Sequence, residues 1–421
     1  MSYLALIQDP RSYEALSLRL SPVFAQIAAG ALRRDREREL PFEAVQELDA
    51  ARFGALRVPE RFGGVGASVE TALRLVIDLA EADSNVAHLY RSHLGFVESL
   101  RFQPVDVQEH WYARILEGET VGNASTERGG NNLGELNTRL VRDGEEWRLD
   151  GAKYYATGSV FANHTRVSVA VEGAPGQVFA VVPTDANGVT LEDDWDGFGQ
   201  RLTGTGTAVF DGVAVPPEGI LARASASPES VHEDAFFQLV LLAVLAGIAR
   251  AACRDAIATI AARTRVFNTG SGSLFKDDPL IQQVVGRISA KAFAAEATVL
   301  HAARALDAAL EAVEEVGAER EDYLGPVPYE LSLAEISVEQ AQVVVPDLAL
   351  GAAQQLFETV GASGTSVDKG LDRHWRNAQT VATHNPVAFR ARAIGDFLLN
   401  GLLNGTLPEG LHSVGEALPR G

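Results

Sequence analysis

The 421-residue chain contains one cysteine, Cys253, and one methionine, Met1. A lone cysteine excludes internal disulfides and thiolate metal clusters, and it suits the cytoplasm, where thiols stay reduced. Basic residues are also scarce: 36 Lys and Arg against 56 Asp and Glu leave a formal charge of -20. Nucleic acid and anionic membranes both select basic surfaces, so neither is expected as a partner. The same acidity suits the solvated surface of a soluble assembly. Nine histidines are present without metal-ligand spacing, and His88 and His93 stand five apart, off a shared i, i+4 face. No metal is therefore expected. The most apolar run, Phe236 to Ile248, stops short of membrane-spanning length, and Met1 to Leu20 lacks a basic segment followed by an apolar core.

Apolar residues make up 46% of the chain and charged residues 22%, the balance of a folded globular protein. The length is too great for one simple core and predicts two or three packed units. Residues 1–118 carry helical periodicity with charged faces, such as the run Arg33 to Glu39, which reads as a solvated helix face. Residues 119–228 change texture. Short alternating segments, Glu146 to Asp150, Arg166 to Val171 and Val178 to Val182, are separated by Asp-Gly, Pro-Gly and Asn-Gly turns. Residues 229–421 return to long Ala-rich helical patterns, with an exposed connection expected over Ala318 to Tyr329. Helices, then a β-block, then helices is an α+β order and not the alternation of a doubly wound sheet.

Several segments carry chemistry. Pro59-Glu-Arg-Phe-Gly-Gly-Val-Gly66 lacks the G-x-G-x-x-G spacing of a nucleotide loop. Gly122-Asn-Ala-Ser-Thr-Glu127 places Asn123, Ser125 and Thr126 at a turn, where amide and hydroxyls can pair with the pyrimidine edge of an isoalloxazine. Asp150-Gly-Ala-Lys-Tyr-Tyr-Ala-Thr-Gly158 supplies Tyr155 and Thr157, and Trp195 sits beside a Gly-rich loop as either core or pocket wall. Arg263-Thr-Arg-Val-Phe267 offers Arg265, whose fork suits a phosphate or a helix-end salt bridge. Phe357-Glu-Thr-Val-Gly-Ala-Ser-Gly-Thr365 precedes Arg376-Asn377 and His384-Asn-Pro386.

These motifs, in this order, resemble the acyl-CoA dehydrogenase superfamily over roughly residues 20 to 405. The resemblance implies a helical N-terminal domain, a central β-barrel domain and a C-terminal four-helix bundle. Registering Arg376-Asn377 on the family's Arg-Asp pair puts Asn385 where a dehydrogenase holds its glutamate base. An amide cannot abstract a proton, so the chain is most similar to the flavin-dependent monooxygenase branch, of the dibenzothiophene and dimethylsulfone monooxygenase type. That resemblance implies that His88, Asn123, Thr157, Trp195 and His384 line a flavin and substrate pocket, that Asn385 borders it, and that Arg265 and Phe267 reach the flavin of a neighbouring subunit in a homotetramer. It also implies FMN as cofactor, with FAD possible.

The implied reaction is oxygenation of a small, uncharged sulfur- or nitrogen-containing substrate by O2 and reduced flavin, through a C4a-(hydro)peroxyflavin. His384, an imidazole tuned near neutral pH, would stabilise the oxygenated flavin and donate a proton. With no nicotinamide fingerprint in the chain, reduced flavin is expected from a separate NAD(P)H-dependent reductase. The alternative is an acyl-CoA dehydrogenase or oxidase with a relocated base, for which Glu233 is the nearest carboxylate after a register shift. A non-catalytic flavin-binding scaffold is a third reading.

Overall fold

A computed structural model describes residues 9–400 except 129–135, 172–176, 225–226, 265–269, 271–273, 318–326 and 328. The chain opens with α1 (Tyr13–Glu37), capped by Ser12, whose hydroxyl accepts the Ala15 N–H. Its Leu16, Leu20, Phe24 and Ile27 recur at three- and four-residue spacing and enter the core. The charged end of this helix is not simply solvated, as its sequence suggested. Arg34 and Asp35 are buried, Arg34 on Asp83 at 2.8 Å and Asp35 on Arg376 at 2.7 Å. Here a charge run holds helices together, because each charge has a partner brought in by the fold.

Next come α2 (Phe42–Ala50), α3 (Val69–Ala82), α4 (Ser84–Leu89), α5 (Arg91–Ser99) and α6 (Val105–Glu117). Tyr90, between α4 and α5, keeps near-helical angles of φ −75° and ψ −9°, so the two short helices present one continuous face. The left-handed cap at Gly118 ends the helical unit.

Among the described residues eight strands follow: β1 (Val121–Ala124), β2 (Arg139–Asp143), β3 (Glu146–Lys153), β4 (His164–Val169), β5 (Gln177–Pro183), β6 (Val189–Leu191), β7 (Ala208–Val215) and β8 (Ile220–Arg223). They form two four-stranded sheets, ordered β1-β4-β5-β8 and β2-β3-β7-β6. Inward residues of both, such as Val167 and Ala180 from one and Leu149 and Phe210 from the other, share one core. Across the seam Leu140 N–H donates to the Ala170 carbonyl and Ala170 N–H to the Thr138 carbonyl, which closes one side in the manner of a barrel.

The C-terminal part holds α7 (Pro228–Ala261), α8 (Pro279–Gly317), α9 (Tyr329–Val360), α10 (Asp372–Ala382) and α11 (Val387–Asn400). By length and composition, α1 and α7 could each cross a membrane, but the apolar window of α7 is 83% buried inside the protein. It is the core helix of a bundle with α8 and α9, and α3 packs into the same core. The N-terminal helices and the bundle thus share apolar residues, and the β-domain is set against both.

Candidate active site

The face shared by α4 and α5 frames the site. His88, Arg91, Ser92 and Gly95 recur at i, i+3, i+4 and i+7 and so point the same way. The Ser92 hydroxyl donates to the Thr157 carbonyl at 3.3 Å. Gly158, at φ 80°, brings the β-domain backbone against α4 so closely that a Cβ would stand 2.7 Å from the Leu89 carbonyl oxygen. At Gly95 a side chain would collide with the Phe237 ring of α7. The ring instead lies on α5, with the Arg91 guanidinium 4.6 Å from its centroid and Arg91 Nε donating to the Phe237 carbonyl at 3.1 Å.

The β-domain contributes a linked run of residues. Thr157 Oγ1 lies 2.8 Å from Thr205 Oγ1, which lies 2.7 Å from Thr203 Oγ1. Tyr155 adopts φ 64°, remains exposed, and sets its ring 5.9 Å from that of Trp195. Trp195 donates its indole N–H to the Gly199 carbonyl at 3.0 Å, which explains how a large aromatic is held at a loop. On β1, Asn123 Oδ1 accepts the Ser125 hydroxyl at 2.9 Å, and the Thr126 carbonyl accepts the Tyr154 N–H at 2.7 Å. Asn123, Ser125, Thr126, Tyr155, Thr157 and Trp195, far apart in sequence, are thereby joined through short contacts.

The loop from Gly199 to Thr203 ties this run to the helices. Gln200, at φ 51°, gives its N–H to Asn377 Oδ1 at 2.8 Å, and Asn377 Nδ2 donates to Ser84 Oγ at 3.0 Å. Leu202 N–H is taken by Asn85 Oδ1 at 3.2 Å. The Gln200 carboxamide lies beside His88 and pulls its proton affinity upward, but without full hydrogen-bond alignment. Both carboxamide atoms and His88 Nδ1 are buried and make no hydrogen bond. Buried polar atoms are almost always paired, so three unpaired atoms side by side set this spot apart from the ordinary packed interior.

His384 follows α10, its N–H on the Val381 carbonyl at 3.2 Å. The residue as a whole is exposed, yet its ring is hemmed in by protein: that desolvation pushes its pKa well below the usual value, and the nearby Arg91 and His88 push it further. Both facts hold for a ring that looks into an internal crevice, lined also by Leu241, Pro346 and Val381. His88 is driven down to about 4, by burial first and Arg91 second. Both imidazoles are therefore neutral near pH 7, each with one donor and one acceptor nitrogen. For His384 this departs from the near-neutral tuning its sequence suggested, because the environment desolvates it beside a cation. Asn385 turns its amide donor to Gln238 Oε1, which also accepts from Gln342 Nε2 at 2.8 Å.

Arg265 and Phe267 lie outside the described residues. Glu233, the candidate relocated base, is clamped by Arg166 and by Arg223 at 3.0 Å, and those guanidinia hold its pKa down against the effect of burial. A carboxylate so paired is a poor proton acceptor. Sequence reasoning missed Arg91, Gln200 and Gln238. Arg91 could have been found from its i+3 spacing to His88; Gln200 and Gln238 had no signal of their own. A cleft of about 840 Å³ is lined by Arg38, Trp195, Arg201 and Arg376 but by none of His88, Thr157 or His384. Chemistry, not size, locates the site.

Two sheets between helical units, with neutral imidazoles and unpaired amides where they meet, define a flavoprotein scaffold. Family models for the acyl-CoA dehydrogenase N-terminal, middle and C-terminal domains match residues 23–119, 123–213 and 239–389, and the chain belongs to that superfamily. Among its relatives, a probable FMNH2-dependent monooxygenase, SfnC of Pseudomonas putida, is 28% identical, with 93% of this chain and 95% of the relative aligned. Methanesulfinate monooxygenase MsuC from Pseudomonas fluorescens superposes with a TM-score of 0.80 at 26% identity, over 94% of this chain and 99% of that one. TdsC from Paenibacillus sp. A11-2, a dibenzothiophene monooxygenase solved with FMN bound, also gives 0.80, at 25% identity and the same coverage.

Proposed function

We propose that this chain is the oxygenase component of a two-component system, which uses O2 and reduced FMN to place one oxygen atom on a small sulfur- or nitrogen-containing substrate. It is a flavin-dependent monooxygenase, and its flavin is FMN. Reduced FMN comes from a separate NAD(P)H-dependent reductase, since the relative SfnC is described as FMNH2-dependent and no nicotinamide motif is present. The observation that carries this reading is the pairing of two neutral histidines, His88 and His384, with an amide at 385, where a dehydrogenase would need a carboxylate.

The site fits a flavin. The unpaired Gln200 carboxamide and His88 Nδ1 are neutral partners for ring heteroatoms, and Tyr155 with Trp195 offers an aromatic wall. Asn123, Ser125, Thr126 and Thr157 supply further amide and hydroxyl groups, and Arg265 and Phe267 complete the site from a neighbour in a homotetramer. Bound reduced FMN supplies the activation of O2. The chain's own work is to orient the flavin, limit water, and offer the N–H of a neutral His384 as a hydrogen-bond donor to the oxygen that leaves.

Oxygen uptake and product analysis with externally supplied reduced FMN and a panel of sulfides, sulfones and amines test this directly. Oxygenated product is expected. Anaerobic bleaching of the flavin by an acyl-CoA would instead establish a dehydrogenase.

A further inference from the structure

Arg91 has no place in the sequence-derived site, yet it is the cation that faces both site histidines. Its side chain is fixed at two points: Nε donates to the Phe237 carbonyl at 3.1 Å, and the guanidinium rests on the Phe237 ring at 4.6 Å. Phe237 is itself held because Gly95, one turn along α5, leaves it room. Among the described residues no carboxylate lies within ion-pairing distance of Arg91, and neither terminal nitrogen makes a hydrogen bond. Its electrostatic partners, Asp234 and Glu233, are committed elsewhere: both pair with Arg223, and Glu233 also with Arg166. Arg91 keeps part of its surface accessible, so its guanidinium, held in place by Phe237 and neutralised by no adjacent carboxylate, presents its unspent fork to an incoming anion.

We propose that Arg91 is the seat of an anionic headgroup, and that the substrate of this enzyme is a small organic anion, a sulfinate or a carboxylate, bound between His88 and His384. This rests on the monooxygenase reading and replaces the uncharged substrate inferred from sequence. Both headgroups present paired oxygens that match the guanidinium fork. Burial lowers the Arg91 pKa only to about 10, so the cation persists at neutral pH. For a sulfinate the balance is simple. The sulfur lone pair takes one oxygen atom of O2 to give a sulfonate, while reduced FMN gives two electrons and two protons that carry the second oxygen away as water. For a carboxylate the headgroup only anchors, and a sulfur or nitrogen elsewhere in the molecule receives the oxygen.

The test compares propanesulfinate, butyrate and the neutral methyl propyl sulfone, using displacement of the FMN absorbance spectrum and competition in the FMN-loaded enzyme. Wild type should bind at least one of the anions and prefer it to the sulfone by roughly tenfold or more. Propanesulfinate alone being bound and oxygenated identifies a sulfinate substrate; butyrate binding without turnover identifies an anchor. Arg91→Met should weaken anion binding by about ten- to a hundredfold, with FMN affinity unchanged, and Arg91→Lys should recover part of it. Equal binding of anions and sulfone by wild type overturns the proposal even if the methionine variant does not fold. Loss of FMN affinity in Arg91→Met also overturns it, by assigning the guanidinium to the flavin. Anion binding without any oxygenated product, from these probes or from sulfides and amines, would sustain the seat while refuting the monooxygenase reading.

Discussion

At the scale of single residues, the site is defined by groups kept neutral. His384→Ala should leave folding and FMN binding near wild type, while product per FMN oxidised falls steeply and hydrogen peroxide rises in step. Full coupling with a lowered melting temperature would make the histidine structural. A pH profile gives a second check. Because burial and Arg91 lower the pKa of His88 to about 4, that ring stays neutral as pH falls from 8 to about 5, and the same causes hold His384 well below its usual value. Coupling should therefore be flat across that range; a decline centred near pH 6.5 would show a solvated imidazole. Much of this was legible. Asn385 pointed away from a carboxylate base, and His88, Thr157 and Trp195 were proposed from their place in a family pattern. Arg91 was not, because a guanidinium beside a histidine in sequence reads as an ordinary helix surface until α7 is seen to cover it.

Among the elements, the join between α5 and β1 is sensitive to protonation. His93 Nδ1 accepts the Val121 N–H at 3.1 Å, and Nε2 lies 3.1 Å from the Gly54 carbonyl, a pairing that only the neutral ring protonated on Nε2 satisfies. Burial takes its pKa down to about 4, so His93 stabilises the fold fully above its unfolded value near 6.5, and that contribution is lost as pH falls towards 4. Urea unfolding of His93→Ala should show a loss of about 1–3 kcal/mol at pH 7 and a shallower acid dependence than wild type between those two values. Identical slopes would mean that other groups control the acid transition. At the same scale, Asn377 links the Gln200 loop to α4. Asn377→Ala frees the Gln200 N–H and Ser84, and should weaken FMN binding more than it lowers stability, as measured by flavin titration beside thermal melts. The β-strands were legible as alternating segments between Gly turns, whereas the closure of two sheets by Leu140 and Ala170 depends on long-range pairing that no local pattern encodes.

For the molecule as a whole, order and texture along the chain foretold helices, then strands, then helices, because hydrophobic period is a local property. The way the parts hold each other was hidden, since it depends on charged residues that meet only after folding. Glu233 of α7, gripped by Arg166 of β4 and Arg223 of β8, fastens the bundle to the β-domain. Glu233→Gln leaves two buried guanidinia short of a counter-charge and should cost about 3–5 kcal/mol, read as a lowered urea midpoint. Residual activity in the folded fraction should match wild type. A variant stable but inactive would make Glu233 a base after all.

The convergence of Asn385 and Gln342 on Gln238 has a consequence for how this scaffold could change its chemistry. Gln238 Oε1 receives donors from both neighbours, so a carboxylate at position 385 would meet an oxygen where it needs a hydrogen. Relief requires Gln238 to turn its amino group towards 385, which then confronts the Gln342 donor and forces that amide to turn as well. Gln342 Oε1, at present unpaired, would then become the acceptor. A single substitution towards the dehydrogenase base is thus coupled to two amide reversals, and the route between the two chemistries runs through three side chains moving as one.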